Sequence, residues 1–115
     1  MTTKLMLGKD ANGNVTYQVP FTDTGYQTTL AANVAQNLTV PANATTALFQ
    51  FSNGDDVFVN PVTTATLPGA AFAATFQDLN PVMRPVIGLS TLSFISASTA
   101  YVKVSFYQTQ TLGLG

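Results

Sequence analysis

The chain has 115 residues, of which 8% are charged, and its formal net charge is −1. Ordinary soluble domains carry about 25% charged residues. Its four basic residues are scattered along the sequence, so the clustered Lys and Arg surface that binds nucleic acid is not expected. The sequence contains no cysteine, histidine or glutamate, which excludes disulfides and thiolate metal sites and removes the commonest general base.

Neutral polar residues take the place of charge, with 18 Thr, 8 Asn, 7 Gln and 6 Ser. Such a surface can be buried against another protein without desolvating ions, which would cost several kcal/mol each. A secreted β-domain with a Thr-rich surface has a similar composition, so composition alone favours neither alternative. No segment is long and apolar enough for a signal peptide or for a membrane span of about 20 residues. We therefore expect a soluble protein without a membrane partner.

The N-terminal segment predicts a β-hairpin. "TKLML" and "VTYQVPF" alternate apolar and polar residues on either side of "GKDANGN", whose Gly and Asn residues suit a turn. A lone hairpin is marginal in water unless a surface covers its apolar side. We therefore expect residues 1–20 to form an arm that packs on a neighbouring chain.

Five further segments show the alternation of a half-buried strand, whereas helical periodicity does not recur. Short strands separated by Gly, Pro, Asn and Asp predict an all-β fold, either an antiparallel sandwich or a small barrel. Of these we expect the antiparallel β-sandwich, formed by residues 21–107 and followed by a C-terminal tail, residues 108–115. The predicted core consists of the apolar members of these segments: Leu38, Val40, Phe49, Phe51, Val57, Val59, Leu92, Phe94, Val102, Val104 and Phe106.

Residues 61–90 interrupt this rhythm with four prolines, which confine strands there to sheet edges or short pieces. Within them, "GAAFAATF" is compatible with one helical turn or with a short strand. A long excursion in a compact domain is usually functional, so we expect residues 61–90 to contribute an interaction surface.

The adjacent carboxylates Asp55 and Asp56 are the first candidates for a catalytic or metal site. They follow "SNG", the strongest short hairpin signal, and neighbouring strand residues face opposite sides. We interpret them as the corner of a β-hairpin. Asp23 and Asp78 are the remaining pair that the fold could bring together for glycoside hydrolysis, but no motif links them. We predict no catalytic, cofactor-binding or metal-binding residue and no enzymatic activity.

Protein contacts are the remaining function. On "AYVKVSFY", Tyr101 and Tyr107 share a face opposite the predicted core side, where they can anchor an interface, stack on a sugar or pair across strands. The interface candidates are therefore the apolar positions of the arm and these two tyrosines: Leu5, Leu7, Val15, Tyr17, Tyr101 and Tyr107.

Two stretches, "LAANVAQNLTVPANATTALFQFSNGDDVFVN" and "LNPVMRPVIGLSTLSFISASTAYVKVSFY", resemble small virion proteins of tailed bacteriophages in the order of their strands and turns. The resemblance covers residues 30–107, and the chain departs from the pattern by the additional Pro85. It implies a short jelly-roll sandwich that decorates or cements the capsid. The expected partners are the major capsid protein and further copies of the chain, with a trimer favoured.

The resemblance also implies a location. We expect the protein on the outer surface of the phage head, after synthesis in the host cytoplasm. A receptor- or glycan-binding module of a tail fibre or spike is the alternative function, and it would use the exposed tyrosines and residues 61–90.

Overall fold

The computed structural model of the chain describes residues 3–4, 6–9, 12 and 15–108, and for residues 6–9 and 15–18 it describes the backbone alone. All the regular secondary structure in these ranges is β-strand, so the predicted all-β class is confirmed. No helix in the described residues is long and apolar enough to cross a bilayer. The strands are β1 (Thr3–Lys4), β2 (Met6–Lys9), β3 (Val15–Gln18), β4 (Gly25–Leu30), β5 (Gln36–Thr39), β6 (Thr46–Phe51), β7 (Val57–Asn60), β8 (Asp78–Leu79), β9 (Met83–Pro85), β10 (Thr91–Ser96) and β11 (Ala100–Gln108).

Two sheets pack face to face to form the predicted sandwich. In the first, β11 is central, with β4 and β1 along one edge and β6 followed by β9 on the other. The second has the order β5-β10-β7-β8. All pairs are antiparallel except β1 with β11, which is parallel. The central strands β11 and β10 are therefore the last two along the chain, so each sheet is completed only when the C-terminal part is present.

The core lies between the sheets, where Phe49 of β6 meets Phe94 of β10 with ring centroids 6.2 Å apart. All the predicted core residues are confirmed: nine are buried, and Leu38 and Phe51 are partly buried against them. Leu30 and Val86 are also buried in the core, although the sequence pattern did not single them out.

The "SNGDD" segment is a turn, as predicted, but the prediction that it closes a hairpin is wrong. It joins β6 in the first sheet to β7 in the second. The amide of Asp55 donates to the carbonyl of Ser52 at 3.3 Å, and Gly54 has a φ of 86°, whereas Asn53 is not in the left-handed region. Two-residue hairpins of the Asn-Gly type need positive φ at both central residues. Positive φ at the second residue alone is the pattern of a type II turn.

The N-terminal hairpin is confirmed, since β2 and β3 are antiparallel partners with Leu7 opposite Tyr17. Of the strands described, these two are hydrogen-bonded only to each other. Thr3 and Lys4, by contrast, extend the first sheet beside Tyr107 and Gln108. The N-terminal segment therefore contributes one short strand to the sandwich before it forms the hairpin.

Asn60, the last residue of β7, directly precedes residues 61–90, and its buried side-chain carbonyl accepts hydrogen bonds from the amides of Val62 and Thr63, both at 2.9 Å. The only strands described within residues 61–90 are β8 and β9, of two and three residues, and each is the outermost strand of its sheet. Three residues join them, so both edges lie on the same side of the sandwich. The expectation of short edge strands is confirmed, and "GAAFAATF" forms neither helix nor strand.

Candidate protein interface

Four of the six predicted interface residues belong to the N-terminal hairpin. Leu7 lies on β2, and Val15 and Tyr17 lie on β3, where the structure describes the backbone alone. Leu5 lies outside the described residues. The part that these side chains play in an interface therefore stays a prediction.

The two tyrosines of β11 have opposite surroundings. Tyr101 is 68% exposed, whereas Tyr107 is only 2% exposed, so the expectation that both are exposed is wrong. The hydroxyl of Tyr107 donates to the carbonyl oxygen of Pro20 at 2.6 Å, so the chain leading into β4 lies against the hydroxyl end of the ring. Tyr107 packs within its own subunit, and Tyr101 is the exposed member of the pair.

We expect Tyr107→Phe to lower the free energy of unfolding by about 1 kcal/mol at pH 7, because the Pro20 carbonyl loses its donor while the ring stays in place. Burial raises the pKa of the Tyr107 hydroxyl. Its neutral form therefore contributes stability that is complete below about pH 10, the pKa of an unfolded tyrosine, and is lost as the pH rises through the folded pKa. Urea unfolding at pH 7 and at about pH 11 should show a larger alkaline loss for the wild type than for the variant. Equal losses would contradict this account of Tyr107.

Asp55 and Asp56 have separate structural partners. Asp55 accepts hydrogen bonds from the hydroxyls of Ser52 and Ser98, the latter at 2.8 Å. These bonds lower the pKa of the Asp55 carboxyl, and the bond from Ser52 has the larger effect. Asp56 accepts a hydrogen bond from the side-chain amide of Asn80 at 3.3 Å. Ser98 lies between β10 and β11, and Asn80 between β8 and β9. The two carboxylates thus connect three turns at one end of the sandwich.

Asp23 and Asp78 are not brought together. Asp23 accepts hydrogen bonds from the hydroxyls of Thr3 and Thr24 at 2.9 and 3.0 Å, and the bond from Thr3 is the main reason that its pKa is lowered. Asp78 forms an ion pair with Arg84 at 3.1 Å, at the opposite edge of the sandwich. Within the described ranges, no group of three or more Asp, Glu, His or Cys residues is arranged to hold a metal ion.

The side of the sandwich formed by β8, β9 and the chain leading into them carries a concentration of exposed apolar residues, which we call the apolar side. Asp78 and Arg84 are the only charged residues between positions 61 and 87, and they pair with each other. Monomeric proteins rarely expose large contiguous apolar patches, which usually mark interaction sites. The apolar side comprises Val62, Phe72, Phe76, Leu79, Val82, Met83 and Ile87.

The most exposed part of the apolar side is the segment "LPGAAFAATF", residues 67–76, which we call the Phe72 loop. Thr75 is its only residue with a polar side chain, and residues 68–76 are all exposed. Gln77 closes its base: the amide nitrogen of the Gln77 side chain donates to the carbonyl of Thr66 at 2.6 Å, and the Thr66 amide donates to the Gln77 side-chain oxygen at 3.1 Å. The two bonds hold the ends of the loop together, while Phe72 remains fully exposed.

A cavity of about 190 Å³ opens on the same side, between the edges of the two sheets. We call it the proline pocket, because Pro61, Pro81 and Pro85 contribute to its wall. The ion pair of Asp78 and Arg84 also borders it. The remaining lining is apolar and comes from the core strands and the turn before β10: Phe49, Val59, Val86, Leu89 and Leu92.

Sequence reasoning placed an interaction surface in residues 61–90 but missed the proline pocket. Phe49, Val59 and Leu92 carry only the alternating pattern of core residues, and nothing local distinguishes a core side chain that borders an opening. The prolines were the available signal, because proline on edge strands limits the pairing that would close the side of a sandwich. Gln77 gave no signal, since its effect depends on the backbone of Thr66, 11 residues away.

No protein-family model matches the chain, and no curated protein or solved structure matches it either.

Proposed function

We propose that this protein is a non-enzymatic structural subunit of a bacteriophage particle that stabilises the head as a decoration or cement protein. The observation that carries the proposal is the apolar side, which exposes seven large apolar side chains and whose two charged residues, Asp78 and Arg84, form an ion pair with each other. Covering such a surface releases water from apolar groups, which is the main favourable contribution to protein association. A structural subunit needs this kind of contact surface.

The charge distribution supports the same proposal. Charged residues within an interface must lose their hydration, and an unpaired buried ion is strongly destabilising. The apolar side presents Asp78 and Arg84 already joined at 3.1 Å, so a partner can cover it without supplying a counter-charge. Permanent assemblies, whose interfaces are more apolar than transient ones, use surfaces of this type.

We further propose that the sandwich is a jelly roll, the architecture that the resemblance to small virion proteins implies. A jelly roll has eight strands in two sheets connected as two Greek keys. Strands β4 to β11 form two groups of four, with the orders β4-β11-β6-β9 and β5-β10-β7-β8. Each step along the chain from β4 to β7 and from β8 to β11 crosses to the other sheet, and this alternation supports the proposal.

The location and copy number of the protein on purified particles test the proposed function. We expect many copies per particle, distributed over the head, because a cement protein contacts repeated capsid subunits. Quantitative mass spectrometry gives the copy number, and labelling of the protein for electron microscopy gives the location. A few copies confined to the tail would contradict the head-stabilising function.

A glycan-binding tail module is the second candidate, and the surroundings of Tyr101 favour it. Tyr101 is 68% exposed and borders an open depression on the outer face of the first sheet whose other residues are mostly polar, among them Gln27, Thr29 and Lys103. An exposed aromatic ring beside hydrogen-bonding side chains can stack on a sugar. Tail location together with glycan binding that Tyr101→Ala abolishes would support this function in place of the first.

A further inference from the structure

Two features of the apolar side are complementary in size and chemistry. The first is the ring of Phe72, which projects fully exposed from an uncharged loop. The second is the proline pocket, with a volume of about 190 Å³. An apolar cavity of about 150 Å³ is large enough to hold a benzene molecule, so the proline pocket can accommodate one phenylalanine ring. In the single chain the ring is exposed to solvent, away from the pocket.

We propose that Phe72 of a second copy of this chain occupies the proline pocket. This inference rests on the proposed function, in which the chain acts by forming protein contacts, and it names further copies of the chain as the partner of the apolar side. A ring that enters the pocket meets Phe49, Val59 and Leu92 of the core. The contact would extend the hydrophobic core of one subunit with a side chain of the next.

The size of the surface fits a subunit interface. The seven exposed apolar residues of the apolar side together present on the order of 800 Å², similar to the roughly 800 Å² that each partner contributes to an interface of standard size. The apolar side has no net charge, which also permits association between identical copies. Because the apolar side contains one cation and one anion joined to each other, two copies of it do not repel.

The edge strands on this side favour side-chain docking over strand addition. Strand β9 ends at Pro85, and Pro81 lies between β8 and β9. Proline lacks the N–H that a ladder requires, and β8 and β9 are only two and three residues long. A neighbouring chain therefore gains little from extending either sheet here, whereas an inserted aromatic ring gains contact with the apolar residues that make up most of the pocket lining.

The contact is compatible with two symmetries, and both use Phe72 of one copy and the proline pocket of another. If each subunit donates its loop to the partner that receives it, the result is a twofold dimer with two identical contacts. If each subunit donates to the next, a closed ring results, and a trimer is the smallest such ring above the dimer. In both arrangements, loss of Phe72 or filling of the pocket removes every contact of this kind between identical chains.

Sedimentation velocity of the full chain over a range of concentrations tests this inference. We expect the wild type to self-associate and Phe72→Ser to weaken self-association about 30-fold or more, as for an aromatic hot-spot residue. Leu89→Phe, which places extra volume in the pocket lining, should do the same. Phe21→Ser is the matched control, because Phe21 is equally exposed but precedes β4, and it should leave association unchanged.

A mixing experiment separates the specific contact from loss of folding. The Phe72→Ser chain retains its pocket and the Leu89→Phe chain retains its loop, so a mixture of the two should form dimers of unlike chains. A wild type that is monomeric at all concentrations, association that survives Phe72→Ser, or a mixture that stays monomeric would each overturn the inference. Self-association that follows these expectations in a protein that does not bind phage heads would contradict the proposed function and support the inference.

Discussion

Truncation of Phe106 to alanine is expected to destabilise the protein by about 3–5 kcal/mol, which is a large part of the 5–15 kcal/mol that holds an ordinary domain folded. Phe106 of β11 is fully buried, and its ring packs edge-to-face against Tyr26 with centroids 6.0 Å apart. The change removes the apolar contacts of a complete ring and leaves a cavity between two sheets that cannot collapse freely. Urea denaturation should show a lower midpoint with an unchanged slope.

Phe72→Ala is the matched control for this prediction. The residue type and the change are the same, but Phe72 is fully exposed, and exposed substitutions usually alter stability by less than about 0.5 kcal/mol. Measurements at a protein concentration low enough to keep the chain monomeric exclude any contribution from association. Similar losses for the two variants would contradict the position of the core.

Asn80→Ala is expected to cost about 2–4 kcal/mol, because Asn80 combines two roles that alanine cannot perform. Its side-chain oxygen accepts a hydrogen bond from the backbone amide of buried Val57 at 2.8 Å, in addition to the bond from its backbone amide to the Val57 carbonyl, also 2.8 Å, which alanine would retain. Its φ of 46° lies in the left-handed region, where alanine is strained by about 1–2 kcal/mol. Thermal or urea unfolding at pH 7 measures the loss.

Asn80→Gly separates these two contributions. Glycine adopts positive φ without strain, so this variant loses only the hydrogen bonds of the side chain and should be more stable than Asn80→Ala. If Asn80→Gly is as unstable as Asn80→Ala, backbone strain contributes nothing. If both variants match the wild type, the link between Asn80 and Val57 does not stabilise the sandwich.

The strands that could be predicted from the sequence are those in which large apolar residues recur at every second position. Strands β6, β10 and β11 contain Phe49, Phe94 and Phe106 at alternating apolar positions, and this pattern is specific to strands. Strand β4 was missed because "GYQTTL" buries only Leu30. Most of its residues remain exposed at the edge of the first sheet, so no alternation marks it.

Features that depend on distant parts of the chain could not be predicted in the same way. The face of Tyr107 followed from alternation, but its burial depends on Pro20, 87 positions away. The "SNGDD" turn was recognised by its residues, whereas its crossing between sheets depends on the partners of β6 and β7. Turn residues determine local backbone angles, and the choice of sheet partner comes from packing along the whole strand.

The candidate interface was predicted only in part. The prolines and the length of the excursion at residues 61–90 indicated an interaction surface, but the Phe72 loop and the proline pocket could not be recognised from the sequence. The shape of the Phe72 loop depends on the hydrogen bond from Gln77 to Thr66, and the proline pocket is formed by residues from both sheets. Neither arrangement can be read from a local sequence pattern. The residues that sequence reasoning chose, in the hairpin and on β11, were selected by local alternation, which does not reveal what covers each face.

Addition of the purified protein to phage heads that lack it tests the head-stabilising function most directly. The account predicts saturable binding over the head and a higher temperature for release of the packaged genome, because ligands that bind only the intact assembly stabilise it. The Phe21→Ser variant, changed outside the apolar side, should act as the wild type does. Absence of binding, or binding without any rise in the release temperature, would contradict the account.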